Sequence, residues 1–189
     1  LKKLSGKGDT SQKLTLMKTS ADSLKKSADA LNDSSLWEKK KIKKKDEKTG
    51  EEIEVEDYDW DKITKAVKSF VEDYNDVVKE AGESNTKDVL RNASGMTGMT
   101  DKNSNMLAQI GITIGKGNKL ELDEDALKQA DISSLKTVFT GYNSFVSKIS
   151  QKATGISNAA NRASATYTNN GTYSKTDSLL TSSKIDEEV

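Results

Sequence analysis

The sequence predicts a mainly α fold: an elongated antiparallel helical bundle or coiled coil carrying two small β-hairpins. Three observations predict it. Apolar residues keep strict 4-3-4-3 heptad spacing over three stretches: Leu14, Met17, Ala21, Leu24, Ala28, Leu31; then Ile63, Val67, Phe70, Tyr74, Val77, Ala81; then Tyr142, Val146, Ile149, Ala153, Ile156, Ala160, Ala163, Tyr167. A seam of that period lets long helices pack along one another. Proline is absent from all 189 residues, where roughly nine are expected at ordinary abundance. Because proline inside a helix costs about 3 kcal/mol, a chain of long helices excludes it. Hydrophobic residues make up only 33 % and charged residues 32 %, a balance that suits slender helices burying one stripe each rather than a thick core.

In chain order, residues 1–13 are Lys, Ser and Gly-rich and read as a flexible lead-in, followed by a shaft domain over 14–168. Thr10 or Ser11 caps a first helix running to about Asn32. Lys39–Lys45 and Glu51–Glu56, joined through Gly50, form a hairpin near 39–56 with a basic strand facing an acidic one, a pairing that opposite cross-strand charges favour. Taken alone, the lysine run resembles a nuclear-localisation or nucleic-acid patch, but the acidic strand beside it neutralises it. Asp57, Asp59 and Asp61 invite a calcium reading. An EF-hand loop needs Gly at its sixth position and Glu at its twelfth, and counting from Asp57 those places hold Lys62 and Lys68. Asp59 is instead the cap of a second helix, Trp60 to Ala81, with Asp61 in its first turn.

Residues 84–105 predict a short helix around Thr86–Ala93 and a further helical turn from about Ser104 to Ile110, with Met96 and Met99 filling gaps under a loop. A second hairpin near 110–122 turns through Gly115-Lys116-Gly117-Asn118. That turn has glycines but no following Gly-Lys-Ser/Thr and opens no helix, so it is not a phosphate-binding loop. Asp123 caps a short helix with Glu124 and Asp125 at its positive end. A third long helix is expected from Ser133 or Ser134 to about Thr168, with Asn169-Asn170-Gly171 ending it and a weakly ordered tail over 169–189.

Composition excludes several function classes. Thirty basic and thirty acidic residues cancel, so no global field draws the chain to nucleic acid or to an anionic membrane. No apolar run approaches the roughly 20 residues of a membrane-spanning helix. With no cysteine there are no disulfides and no thiolate metal sites. With no histidine either, catalysis would have to depend on carboxylates, Lys, Tyr or Ser. The acids are spread over solvated faces, with no pair set against an apolar wall. The residues call for no catalytic site, no metal, no cofactor and no small-molecule substrate. Leu1 is not an initiator Met, which implies a processed product or part of something longer.

The segment from Val67 to Phe139 resembles the carboxy-terminal half of the flagellar filament cap protein, the hook-associated protein 2 family. The resemblance lies in Phe70-Val71-x-x-Tyr74-Asn75-x-Val77-Val78, in Leu107-x-x-Ile110-Gly111-Ile112, in Leu120-x-Leu122-Asp123-x-x-x-Leu127, and in Leu135-x-x-Val138-Phe139. These residues read as a packing recipe, a hairpin and short helix clamped against a shaft, with Ile110, Ile112, Leu120 and Leu122 on one hairpin face. Family members are usually longer, with β-rich outer domains where this chain has only the hairpin at 39–56. The resemblance implies a structural, non-enzymatic protein outside the bacterial cell, at the filament tip, with flagellin or like subunits as partners and ring-like self-assembly. The alternative is a secreted or surface-bound helical adhesion module. The third seam outlasts the second, and its narrow end, Ala153, Ile156, Ala160, Ala163 and Tyr167, is expected to be an exposed assembly surface or to lie under the tail.

Overall fold

The structure, a computed structural model, describes the backbone of residues 8–182 and the side chains of residues 8–166. The elements in chain order are α1 (Ser11–Leu31), β1 (Lys40–Lys45), β2 (Glu52–Asp57), α2 (Trp60–Ala81), α3 (Lys87–Lys102), α4 (Ser104–Ala108), β3 (Ile112–Ile114), β4 (Leu120–Leu122), α5 (Glu124–Gln129), α6 (Ile132–Phe139) and α7 (Phe145–Ser182). Among the described residues the fold is mainly helical, with two antiparallel two-stranded sheets.

The heptads act as their spacing requires. α1 begins where the Thr10 hydroxyl accepts the Lys13 amide at 3.2 Å, and its buried residues are the six of the first seam. α2 begins where Asp59 accepts the Lys62 amide at 3.1 Å. It buries the six of the second seam, with Thr64 and Val71 widening the stripe. α1 lies between α2 and α7, while α3 packs along α7 and, over a shorter length, α2. The four helices enclose one continuous apolar core.

Polar rungs mark the register of α1 on α7. Ser157 donates to Asp22 at 2.6 Å and Ser150 donates to Asp29 at 2.8 Å. Asp22 and Asp29 are in turn bound one turn back by Lys18 and Lys25, at 2.6 and 2.5 Å. A step back along α1 is therefore a step forward along α7: the helices are antiparallel, and Ser11 falls level with Thr168.

The third helix differs from expectation at both ends. It does not start at Ser133 or Ser134. α6 ends at Phe139, the chain turns through Gly141 at φ 97°, and α7 starts at Phe145. The break lets Phe139 stack on Trp37, with ring centroids 5.5 Å apart, while the Gly141 amide donates to Asn32 at 2.7 Å. Tyr142 thereby leaves the seam and is 81 % exposed. At the other end Asn169-Asn170-Gly171 does not stop the helix, which runs on to Ser182, about 21 Å past the level of Thr168 at 1.5 Å per residue. Residues 183–189 of the expected tail lie outside the described residues.

Two shorter segments also differ. α3 runs to Lys102 rather than Ala93, through Gly95 and Gly98. Burial of Val89, Ala93, Met96 and Thr100 on one face outweighs the helix-propensity cost of the two glycines. Met96 is accordingly core, while Met99 packs partly buried against it. Within the expected lead-in, the helix has already begun at Ser11 and Asp9 is buried; residues 1–7 lie outside the described residues.

Candidate functional site

The motif residues of the sequence come together on one flank of the bundle. Phe70, Val71 and Tyr74 are buried on α2. Phe70 meets Phe145 edge-on at 6.4 Å. The Tyr74 hydroxyl donates to Thr100 at 2.8 Å, and Thr100 donates to the Met96 carbonyl at 3.0 Å. Burial pushes the Tyr74 hydroxyl up to about 12, against the hydrogen bond with Thr100, so it stays protonated and ties α2 to α3.

Asn75 supplies the clamp. Its amide donates to the Leu120 carbonyl at 2.9 Å and accepts the Leu120 N–H at 2.7 Å. One side chain thus occupies the backbone edge of β4 as a neighbouring strand would. β3 and β4 pair Ile112 with Leu122 and Ile114 with Leu120, setting four apolar side chains on one face. Ile110, Ile112 and Leu120 are buried; Leu122 is half-buried.

Gly111 makes the approach to α5 possible. Its φ is 84°, and a Cβ there would sit 2.7 Å from the Asp123 carbonyl oxygen. Its own carbonyl accepts the Asp123 amide at 2.8 Å. Asp123 caps α5 by accepting the Ala126 amide at 3.0 Å, and Leu127, Val138 and Phe139 complete the core.

The acid-rich segments have structural roles. Asp57 accepts Lys44 at 2.5 Å and the Tyr58 amide at 2.7 Å, and the bond from Lys44 is the chief reason its carboxyl lies below the ordinary value. Asp59 is the α2 cap. No group of three or more potential metal-ligating side chains forms among the described residues. A concavity of about 520 Å³ is a solvent-open trough between the end of α2, α3 and the β3–β4 turn.

Residues 84–187 match the family model described as the flagellar hook-associated protein 2 C-terminus. The chain belongs to the flagellar hook-associated protein 2 family. No curated protein and no solved structure matches it. The match begins just past α2, so the hairpin, α5 and α6 motifs lie inside it, while Phe70–Asn75 lies before it and joins the same cluster through the Asn75–Leu120 clamp. The hook-associated protein 2 family is a structural one, with a flagellar cap-type role. No helix among the described residues is long and apolar enough to cross a membrane.

In this hook-associated protein 2 chain, the seam residues expected at an assembly surface lie mostly inside. Ala153 and Ile156 are 0 % exposed and Ala160 is 1 % exposed. The two alanines let α7 lie close to α1 and α3 of the same chain, whose core already covers all three residues. Ala163 is half-buried against the core, and the side chain of Tyr167 lies outside the described residues.

Sequence reasoning missed three sets of residues. Asp9 takes hydrogen bonds from the Ser84 and Thr86 hydroxyls, both at 2.6 Å, and from the Asn85 and Thr86 amides at 3.0 and 2.9 Å. It clasps the chain ahead of α1 to the start of α3. Trp37 is buried and donates to the Leu31 carbonyl at 2.8 Å. The third set is the Asp22/Ser157 and Asp29/Ser150 rungs. Only the rungs had a signal: both acids and both serines recur at a spacing of seven.

Proposed function

We propose that this chain is the shaft of a flagellar cap-type protein, working without catalysis, outside the cell at the filament tip, by packing against like subunits or flagellin during filament assembly. The observation that carries this reading is the family match over residues 84–187, which falls on the β3–β4 hairpin, α5, α6 and α7. The architecture supports it. The apolar seams are satisfied within the chain, so the bundle is a stiff spacer with two different ends. One end carries the β1–β2 hairpin; at the other, α7 continues past the start of α1. Deleting the parent gene and imaging the cells by negative stain tests the reading. Filaments should shorten or vanish, with flagellin lost to the medium. Normal filaments, motility and flagellin secretion would overturn it.

A further inference from the structure

Among the described residues, the β1–β2 hairpin is a two-stranded sheet with both outer edges open, and neither strand packs along a helix. Such a unit is marginal alone, and a third strand stabilises it. Its two edges differ in sign. β1 carries five lysines in six residues, and β2 carries three glutamates and one aspartate.

Cross-strand neighbours Lys41–Glu56, Lys43–Glu54 and Lys45–Glu52 share one face, while Ile42 meets Val55 and Lys44 meets Ile53 on the other. Ion pairing inside the hairpin is incomplete. Among the described residues, Lys43–Glu52 at 3.8 Å and Lys44–Asp57 at 2.5 Å are the ion pairs the strands make. Lys40, Lys41, Lys45, Glu54 and Glu56 remain without one within 4.0 Å. Ile53 is 40 % exposed.

We propose that the hairpin is a self-complementary docking edge: β1 of one copy pairs antiparallel with β2 of a second copy. Charge selects this pairing. β1 against β1 sets lysine opposite lysine and β2 against β2 sets acid opposite acid, both unfavourable, whereas β1 against β2 of a second copy repeats the alternation already present inside the hairpin. Edges that were charged only to block aggregation would need no difference in sign. The second copy also lays Ile53 and Val55 beside Ile42, so that apolar side chains meet across the new seam.

The contact joins unlike edges and leaves one edge free on each copy, so it propagates head to tail into a ring or a row. Adjacent strands rotate by about 20–25°, so successive hairpins turn by about 45°, which carries the attached bundles apart.

The inference rests on the proposed role in packing against like subunits, and cysteine trapping tests it in the 189-residue chain, which has no cysteine of its own. Single-cysteine variants are made at Lys41, Lys43 and Lys45 and at Glu52, Glu54 and Glu56, so that no intrachain bridge can form. A β1 variant mixed with a β2 variant and oxidised in about 0.1 M salt should give a mixed disulfide exceeding either homodimer by about tenfold or more. The excess should shrink near 1 M salt, where screening contracts to about 3 Å. Homodimers as abundant as the mixed species, or no mixed disulfide at any of the three positions, overturn the proposal. The two readings fail separately: filament loss on gene deletion without the mixed disulfide sinks the hairpin edge alone, and normal filaments on deletion sink the cap-type role alone.

Discussion

Asn75 concentrates more structural consequence than any other polar side chain in the motif region, because it satisfies a backbone donor and a backbone acceptor of Leu120 together. Replacing it with Ala leaves both groups of a half-covered strand edge unpaired, at about 1–3 kcal/mol. Chemical denaturation should report that loss, and amide exchange at Leu120 should accelerate ahead of exchange in α1. Asp9 gives a pH signature. Burial alone would raise its carboxyl, but the bonds from Ser84, Thr86 and the Asn85 and Thr86 amides outweigh burial and hold it below the ordinary value of 3.8. A carboxyl lowered on folding contributes stability that is fully present above its unfolded value and is lost as pH falls through the folded one. The difference in stability between Asp9→Asn and the parent should therefore be constant near neutrality and shrink below about pH 4. A difference that grows on acidification would contradict the clasp.

At the scale of elements, α7 is a core helix over its first half. Ile156 is 0 % exposed, so Ile156→Ala should cost about 2–5 kcal/mol by leaving a cavity. Light scattering on the folded variant should show an unchanged oligomeric state, since the side chain faces its own chain. A change of assembly without loss of stability would return this segment to the surface. The rungs mark the alignment the helices keep, Asp22 level with Ser157 and Asp29 level with Ser150. The seams themselves were legible because burial follows heptad spacing wherever two helices run side by side. The break at residues 140–144 was not, since it serves Trp37 and Asn32, over 100 positions away in sequence.

For the whole molecule, the bundle and the β1–β2 hairpin are separable. Lys40 and Asp57 are cross-strand partners, so a short Gly-Ser turn can replace residues 41–56 without moving the ends. With neither strand packed along a helix, thermal and denaturant unfolding of that variant should stay within about 0.5–1 kcal/mol of the parent. A larger loss would mean the hairpin supports the bundle rather than projecting from it. Of the candidate site, the apolar face of the 110–122 hairpin and the Asp123 cap could be read directly, because two-residue alternation and capping are local. The Asn75 clamp spans 45 positions and leaves no local trace.

Sequence alone determined the first two seams and the middle of the third, a first helix start at Thr10 or Ser11, the caps at Asp59 and Asp123, both hairpins, and the resemblance that the family match later established. Each depends on periodicity or on contacts a few residues apart. Tertiary structure decided which seam residues are already covered, where the third helix breaks, how Asp9 and Asn75 tie distant segments together, and that the charged hairpin stands clear of the helices. Those outcomes depend on which surfaces meet after long loops close, and heptad spacing names a surface that needs covering without naming what covers it.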